Sequence, residues 1–409
     1  MPAEERKSIA VGGQGPLIRA LDAGRRGQIF AAIGSGTRNG FFGAARFRPG
    51  GSLDTRFGTH GFVRADRLFP WLEPFSEIDA RGVALQRNGK IVLAGFRTGV
   101  ASEAPAPLLI RLRPDGTPDR SFGAGGAVAP KPDGRRADSL RAVAVQASGR
   151  IIAVGVRNER DPGAVRVRRP SGLVVAYRPD GSVDPAFGRG GRVLFAGGAN
   201  RYTYTGLFAV ALLPSGKILV AGYRSNRLLI ARLRANGRPD RGFGGGDGEV
   251  SIGLGLANSC CPDAAAIAPL PNGGSVVLAD VSRPGAWLLR LRPDGAIDHR
   301  FGRGGIVKTG PARRLTQAHA VAVQGNGRIV AAGIEIRRRT SFVAARFKAD
   351  GRPDRSFGKG GVETLPLGRA SAALAAKSLP DGRVLLGGGD QAQRGKRVEY
   401  ALLLARLAP

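Results

Sequence analysis

Residues that carry most covalent and acid–base catalysis are scarce in this sequence. Its 409 residues include three histidines (His60, His299 and His319) and two adjacent cysteines, Cys260 and Cys261. Neighbouring cysteines rarely bond to each other without strain, so we predict two small buried thiols and no disulfide framework. The sequence contains no His-x-Glu or Gly-x-Ser-x-Gly motif and no cluster with metal-ligand spacing. We therefore predict no catalytic residue, no metal site and no cofactor, and an enzyme is the less favoured class.

Acidic residues are also few. Asp and Glu number 31 against 63 Lys and Arg, which gives a formal net charge of +32 at pH 7. A positive excess of this size favours anionic partners, such as acidic polysaccharides or nucleic acids. No block of five or more like charges forms a basic tail, although Arg337, Arg338 and Arg339 make a local cluster.

Long apolar runs are missing. No stretch approaches 18 apolar residues, so no membrane-spanning helix is predicted. Residues 1–7 include no apolar segment of the kind that a signal peptide carries. The sequence by itself therefore favours a cytoplasmic protein.

One stretch recurs along the chain and carries a Phe-Gly pair near its end. Its pattern is Arg-Pro-Asp-Gly-x-x-Asp-x-x-Phe-Gly-x-Gly-Gly, as at residues 113–126, and we call it the signature. The phenylalanine returns at steps of 65, 65, 56, 58 and 56 residues. Pro and Gly at a nearly fixed period indicate regular turns rather than disorder.

A second motif alternates with the signature. Its pattern is Val-Ala-x-Gln-x-x-Gly-Lys/Arg-Ile-x-x-Ala-Gly, as at residues 321–333. Two short apolar halves joined by Asn-Gly, Ser-Gly or Asp-Gly predict a tight β-hairpin, because these residues tolerate a positive φ. A degenerate copy covers residues 27–34. The other copies begin at Val83, Val143, Val210, Val321 and, more loosely, Ala266 and Leu374.

Two more short strands complete each unit. Strand a follows the Gly-Gly of a signature, strands b and c form the hairpin, and strand d leads into the next signature. Four short strands in about 60 residues, repeated seven times without a helical period, predict an all-β, seven-bladed β-propeller of four-stranded antiparallel blades. A β-solenoid is the alternative, although its repeats are usually shorter.

The prediction is a single propeller domain over residues 1–409. Ile9 to Val11 would be strand a of the first unit and Leu402 to Ala405 strand d of the last, so the ring would close without a strand from the far terminus. The predicted blades cover residues 7–49, 61–114, 126–179, 191–235, 248–293, 305–349 and 361–409.

The two alternating motifs resemble the delta-60 repeat proteins of bacteria. The resemblance covers nearly the whole chain and is carried by repeats such as those at 113–126 and 321–333. It implies a propeller fold with no general assigned activity. It also implies export, which this sequence would meet only if its start site is misplaced.

The repeated signature residues have structural interpretations. Pro and Gly form a β-turn, Asp caps backbone N–H groups, and Phe fills the wedge between neighbouring blades. The Arg that closes strand d, such as Arg111, is interpreted as a partner of the Asp rather than as part of an anion-binding ring. The structural Asp and Phe residues are Asp54, Phe57, Asp119, Phe122, Asp184, Phe187, Asp240, Phe243, Asp298, Phe301, Asp354 and Phe357.

Strand parity separates the two faces of the propeller. Turns b–c and the signatures lie on one face, which we call the constant face. Connections a–b and c–d lie on the other, the variable face, and irregular loops on a rigid scaffold are where binding usually resides. These loops are rich in basic and aromatic residues. The candidate ligand-binding residues are Trp71, Arg168, Arg169, Arg201, Tyr202, Tyr204, Arg337, Arg338 and Arg339.

Basic side chains mixed with aromatic rings suit a polyanion whose rings can stack, either polysaccharide or nucleic acid. A solvated basic rim with its aromatics tucked under loops is the alternative. The sequence therefore predicts a monomeric, non-catalytic binding scaffold with an anionic polymer or a protein as partner. A propeller hydrolase or lyase with a site in the central channel is the competing hypothesis.

Overall fold

The apolar–turn–apolar motif folds as the inner hairpin of each of seven blades. In the second blade, Gln86 N–H donates to the Lys90 carbonyl at 2.9 Å and Gly89 adopts φ +80°, the conformation for which glycine is suited. The computed structural model describes residues 5–10, 15–35, 40–72, 75–99, 104–130, 136–160, 167–196, 204–253, 265–281, 285–309, 315–336, 340–365, 370–394 and 397–409.

Each blade is an antiparallel sheet of four strands, and in blades 1 to 6 these strands follow one another along the chain from the channel outward. Blade 1 contains β2 (Leu17–Ala23), β3 (Ile29–Gly34), β4 (Gly43–Phe47) and β5 (Phe62–Arg64). Blade 2 contains β6 (Phe75–Leu85), β7 (Ile91–Gly99), β8 (Pro105–Leu112) and β9 (Ala127–Val128). Blade 3 contains β10 (Arg136–Val145), β11 (Ile151–Arg160), β12 (Val167–Tyr177) and β13 (Arg192–Phe195). Blade 4 contains β14 (Thr205–Leu212), β15 (Ile218–Arg224), β16 (Arg227–Leu233) and β17 (Glu249–Gly253).

The remaining blades follow the same plan. Blade 5 contains β18 (Ala265–Pro269), β19 (Ser275–Asp280), β20 (Ala286–Leu291) and β21 (Ile306–Lys308). Blade 6 contains β22 (Gln317–Val323), β23 (Ile329–Ile336), β24 (Thr340–Phe347) and β25 (Val362–Leu365). Blade 7 contains β26 (Ala370–Ser378), β27 (Val384–Arg394), β28 (Arg397–Leu407) and β1 (Glu5–Ala10).

In the part of the chain that the structure describes, helical structure is limited to short turns. Helix α1 (Ala65–Leu68) and 3-10 turns at Pro70–Leu72 and Gly244–Gly246 lie in connections. Among the residues described, none of these helices has the length and apolar character that a membrane crossing requires. The predicted all-β, seven-bladed propeller is confirmed.

The assignment of strand a to the following blade is wrong. The strand after each Gly-Gly pairs with the strand d that precedes it, as β5 pairs with β4 and β9 with β8. It is therefore the outermost strand of its own blade, and strand b lines the channel. The signature spans only neighbouring strands of one sheet, so a short connection suffices. The b–c turns and the signatures still lie on the constant face, and the a–b and c–d connections on the variable face. This holds because consecutive connections alternate between the two faces, whichever strand is counted as the first of a blade.

The same one-strand shift changes how the ring closes. β1 pairs antiparallel with β28, from Glu5 opposite Arg406 to Ala10 opposite Ala401. β1 therefore takes the outermost place in blade 7 and pairs the edge of β28. The prediction that the ring closes without a strand from the far terminus is wrong.

The hydrophobic core is divided among the seven interfaces between blades. Seven buried clusters each combine side chains from two adjacent blades, and the seventh joins blade 7 to blade 1. The signature phenylalanines lie in six of these clusters and are at most 5% exposed. Because each cluster belongs to two blades, no blade buries its apolar surface alone.

An Arg–Asp–Phe unit, which we call the latch, joins blades 1, 2, 4, 5 and 6 each to the next blade. In blade 2, Arg111 Nε donates to Asp119 Oδ2 at 2.6 Å, and its guanidinium carbon lies 4.6 Å from the centroid of the Phe122 ring. The same guanidinium donates to the carbonyl of Pro179, in the signature of blade 3. One side chain thus holds its own connector and the neighbouring one.

The latch recurs with nearly constant geometry. In blades 1, 4, 5 and 6 the Arg–Asp distances are 2.5–2.8 Å and the Arg–Phe distances 4.7–5.3 Å. In blade 7, Arg406 donates to the carbonyl of Pro49 in blade 1. The arginines thus act as structural partners of the Asp residues, the interpretation that the sequence favoured over an anion-binding ring. The latch arginines are Arg46, Arg111, Arg232, Arg290 and Arg346.

Ionisation of the latch carboxylate is favoured. Burial alone would raise the pKa of Asp119, but hydrogen bonds from Lys90 and Ser121 and the charge of Arg111 hold that pKa well below its usual range. A depressed pKa stabilises the fold above the unfolded value near 4, and this stabilisation is lost as the pH falls towards the folded value.

Blade 3 replaces the latch arginine with Ala176. Arg150, from the b–c turn, takes over: its Nε donates to Asp184 Oδ2 at 2.7 Å and its guanidinium to the Ala235 carbonyl at 3.1 Å. Blades 2, 4 and 6 place a cation at the same turn position in addition to the latch arginine, through Lys90, Lys217 and Arg328. Arg150 is therefore the close partner of Asp184, and the half-exposed Arg178 lies farther away, with its Nε 3.8 Å from Asp184 Oδ1.

Substituting Arg150→Ala should lower the free energy of unfolding by about 2 kcal/mol, because the buried Asp184 would lose its hydrogen-bonded cation and keep only the half-exposed Arg178, 3.8 Å away. Arg328→Ala is the matched control, with an expected loss of about 1 kcal/mol or less, since Arg346 still holds Asp354 at 2.8 Å. Thermal or denaturant unfolding of both variants measures the difference. Equal losses would contradict the proposed substitution of roles in blade 3.

Candidate functional site

The predicted aromatic residues differ in exposure. Trp71 lies in the 3-10 turn Pro70–Leu72, on the variable face, and is 52% exposed. Its ring packs edge-on against buried Phe69 with centroids 6.0 Å apart. Tyr204 is half-buried immediately before β14 and lines the central channel. Tyr202 lies outside the described residues.

Most predicted basic residues are not described. Arg168 and Arg169 belong to β12, and the structure describes only their backbone. Arg201, Arg337, Arg338 and Arg339 lie outside the described residues. Their part in ligand binding stays a prediction.

Positive charge also covers the constant face. The first residue of every signature is an exposed cation, and more exposed cations follow within the signatures, such as Arg241 and Arg355. Net charge therefore does not distinguish the two faces, and a functional site has to be argued from local geometry. The signature cations are Arg48, Arg113, Arg178, Arg234, Arg292 and Lys348.

The central channel contains a cavity of about 640 Å³ lined by the inner strands of all seven blades. It reaches the variable end of the channel at Tyr204, which precedes the inner strand of blade 4. In six inner strands the pairing shifts by one residue at the same height, which is a β-bulge, and the extra residue lines the cavity. These bulge residues are Arg19, Arg81, Arg141, Phe208, His319 and Leu374.

The glycine that closes the second motif makes room for the bulge. A Cβ on Gly95, for example, would lie 2.0 Å from the carbonyl oxygen of Asp79, in the inner strand just before the bulge at Arg81. The corresponding glycines of blades 3, 4, 6 and 7 would meet inner-strand carbonyl oxygens at 1.7–2.0 Å. Those glycines are Gly155, Gly222, Gly333 and Gly388.

Three bulge arginines from consecutive blades form what we call the arginine cluster: Arg19, Arg81 and Arg141. Arg19 and Arg81 share the carboxylate of Asp79, with Arg19 Nε 3.9 Å from Oδ1 and Arg81 Nε in direct contact with Oδ2. Arg81 and Arg141 share the Phe96 ring, at 6.0 and 5.8 Å from its centroid. The cluster therefore extends continuously from blade 1 to blade 3.

The cluster lies in a poorly solvated part of the channel. The side chains of Arg19 and Arg81 are 16% and 25% exposed, and Asp79 is fully buried. Burial, together with the positive charges of Arg81 and Arg141, lowers the pKa of Arg19 to about 10, and the charge of Asp79 opposes this. Arg19 is still charged at neutral pH, and a bound anion would relieve the repulsion among the three guanidinium groups.

The opposite wall of the cavity has a different chemical character. Tyr204 and Phe208 of blade 4 provide aromatic surface, and Ile267 of blade 5 and Leu374 of blade 7 provide aliphatic surface. His319 of blade 6 is also part of the lining. Among the described lining residues there is no Asp or Glu, and the described part of the chain contains no group of three potential metal ligands.

This arrangement can bind an oxyanion and a ring side by side. Guanidinium groups donate in pairs to carboxylate, phosphate and sulfate oxygens, and burial strengthens these contacts. Of the residues predicted from the sequence, Tyr204 lines this cavity, and its part in ligand binding stays a prediction. The arginine cluster was not predicted; in blades 2 and 3 its arginines lie two residues before the start of the second motif. Two features of the sequence could have indicated the bulges: the residue two positions before the second motif varies from copy to copy, and the motif ends in a glycine.

Comparison with known families supports a propeller repeat protein. Residues 86–122, 213–243 and 324–357 match a family described as a domain of unknown function (DUF5122) beta-propeller. Each matched segment runs from a b–c turn to a signature phenylalanine. The match supports a propeller repeat family, and the delta-60 repeat is still a resemblance. No curated protein matches the sequence.

Several solved structures are similar in fold at low sequence identity. Polysaccharide lyase Uly1 has a TM-score of 0.50 at 11% identity and covers 98% of this chain and 91% of its own. NanB sialidase from Streptococcus pneumoniae has a TM-score of 0.46 at 11% identity, with coverages of 98% and 70%. A catalytically inactive virginiamycin B lyase from Staphylococcus aureus, crystallised with quinupristin, has a TM-score of 0.42 at 9% identity, with coverages of 80% and 95%. At these identities the similarity concerns the fold alone.

Substituting Asp79→Asn should destabilise the protein by about 3 kcal/mol, because Arg19 and Arg81 would lose the carboxylate that they share. Thermal unfolding in a buffer of weakly binding anions measures the loss. Asp66→Asn is a control, since Asp66 pairs with Arg64 at the surface and its loss should cost less than about 1 kcal/mol. Similar losses in the two variants would show that the cluster does not depend on Asp79.

Proposed function

We propose that the protein is a non-catalytic scaffold that binds an anionic ligand on its variable face, with the arginine cluster as the anchor. The observation that carries the proposal is the entry of three guanidinium groups from consecutive blades into one cavity, where two of them share a single buried carboxylate. Buried cationic groups are costly to maintain, and an anionic ligand is the simplest compensation.

The basic loops around the cavity provide a second, weaker contribution. Exposed charges attract an anionic polymer and raise its association rate, whereas buried, oriented guanidinium groups determine which group is held. An acidic polysaccharide or a nucleic acid could supply such a polymer. The aromatic residues Trp71 and Tyr204 support a ligand that also contains rings.

A double variant, Arg19→Gln with Arg141→Gln, tests the anchor. It removes two guanidinium groups and leaves Arg81 to pair with Asp79, so the fold should persist. We expect binding in an array of glycans and nucleic acids to weaken at least about tenfold, the effect of losing one good charge-assisted contact. Arg300→Gln with Arg303→Gln, two exposed cations of the constant face, removes the same charge and should leave binding within about twofold. Equal losses in the two double variants would contradict the proposal.

Charge reversal in blade 6 tests the choice of face. Replacing Arg337, Arg338 and Arg339 by Glu should lower the salt concentration at which the protein leaves a heparin column. Replacing Arg352, Arg355 and Lys359 by Glu changes the net charge by the same amount on the constant face of the same blade. We expect the smaller shift from this control, and an equal shift would argue against the variable face.

A hydrolase or lyase with a site in the channel would use the same cavity. Chromatographic analysis of every ligand that binds, before and after long incubation with the protein, separates the two hypotheses. An unchanged ligand is expected of a scaffold. If the protein cleaves a ligand and the Arg19→Gln, Arg141→Gln variant does not, the scaffold hypothesis is wrong and the enzyme hypothesis is correct.

A further inference from the structure

The geometry of the arginine cluster restricts the group that it can hold. Its members come from three consecutive inner strands, so their side chains lie next to one another on one wall of the cavity. A planar carboxylate offers two oxygens in one plane. A tetrahedral monoester, of phosphate or of sulfate, offers three terminal oxygens, which matches the number of guanidinium groups on this wall.

We propose that the cavity binds a terminal –OPO3 or –OSO3 group, with one guanidinium group of the arginine cluster donating to each of its three free oxygens. This proposal rests on the proposed function and specifies the ligand group. The diester linkage within a nucleic acid chain has only two free oxygens and is already bonded on both sides. An internal diester would therefore satisfy the cluster less well than a monoester.

The rest of the cavity fits the body that carries such a group. A ring attached to the monoester would extend from blades 1–3 towards Tyr204 and Phe208 of blade 4, whose aromatic faces can stack on a sugar or a base. The cavity of about 640 Å³ has room for more than one such ring. Because it is enclosed laterally by seven inner strands, a polymer would have to enter through a mouth of the channel.

A matched set of ligands tests the proposal by isothermal titration calorimetry. Glucose 6-phosphate, glucose 6-sulfate and glucuronate carry different anionic groups at the same position of the same sugar, and glucose carries none. We expect at least one of the two esters to bind about tenfold or more tightly than glucuronate, and glucose not to bind. The relative affinities of the phosphate and the sulfate identify the source of the group.

Single substitutions test the three-way contact. Arg141→Gln should weaken the preferred ester at least about tenfold and reduce its preference over glucuronate, because one of three oxygens loses its donor. Arg303→Gln should change the affinity for the preferred ester, and its preference over glucuronate, by no more than about twofold, because Arg303 is exposed on the constant face. Thermal unfolding of each variant verifies that the fold is intact before affinities are compared.

These measurements distinguish failure of the monoester proposal from failure of the proposed function. If glucuronate binds as tightly as both esters, or if Arg141→Gln leaves the preference over glucuronate unchanged, the monoester proposal is overturned while anion binding in the channel stands. If no anion in the set depends on Arg19 or Arg141, the channel is not the anchor and the proposed function fails with it. A short oligonucleotide with and without a 5′-phosphate extends the comparison, and equal binding of the two would also overturn the monoester proposal.

Discussion

The propeller depends on a cation that is shared between adjacent blades. A latch arginine pairs with the Asp of its own signature, lies over the signature Phe and donates to a carbonyl of the next signature, as Arg111 does with Asp119, Phe122 and Pro179. A charge-assisted hydrogen bond and a cation–π contact are each worth about 1–2 kcal/mol when partly buried. Because every latch bridges two blades, these small terms act together to keep the ring closed. Blade 3 shows that the shared cation matters more than its position, since Arg150 replaces the missing arginine from another strand.

The latches and the candidate site lie in different parts of each blade, which separates scaffold from function. The latch uses strand d and the signature, at the constant face. The arginine cluster uses bulges in the inner strands, where one extra residue per strand turns towards the channel. The bulge position holds Arg in three blades and Phe, His or Leu in three others, so the backbone geometry is fixed while the side chain varies. The same scaffold could therefore present other chemistries in its channel.

Much of the fold could be predicted from the sequence because its determinants are local. Tight turns such as the one around Gly89 need positive φ, and the signature Phe marks six of the seven blades. Strand pairing is not local, and nothing in the motif tells whether Phe62–Arg64 pairs backwards with β4 or forms the next inner strand. The bulges escaped prediction because they are visible only when Gly95 is set against the carbonyl of Asp79 across two strands. The arginine cluster escaped prediction for the same reason, whereas Tyr204, which lines the same cavity, was a candidate because it lies in a loop rich in basic and aromatic residues.

Closure by β1 makes the ring a single cooperative unit. An open array of repeats can unfold from either end, one unit at a time, because the terminal units have one neighbour. In the closed ring every blade has two neighbours, and Glu5 is paired with Arg406 across almost the entire length of the chain. The interface between blades 7 and 1 can form only when the last blade is present. Pairing between such distant residues slows folding, because the entropy of the chain is lost before the stabilising contacts form. The cavity in the channel has a complete wall only in the closed ring, so ligand binding and completion of the fold are thermodynamically linked.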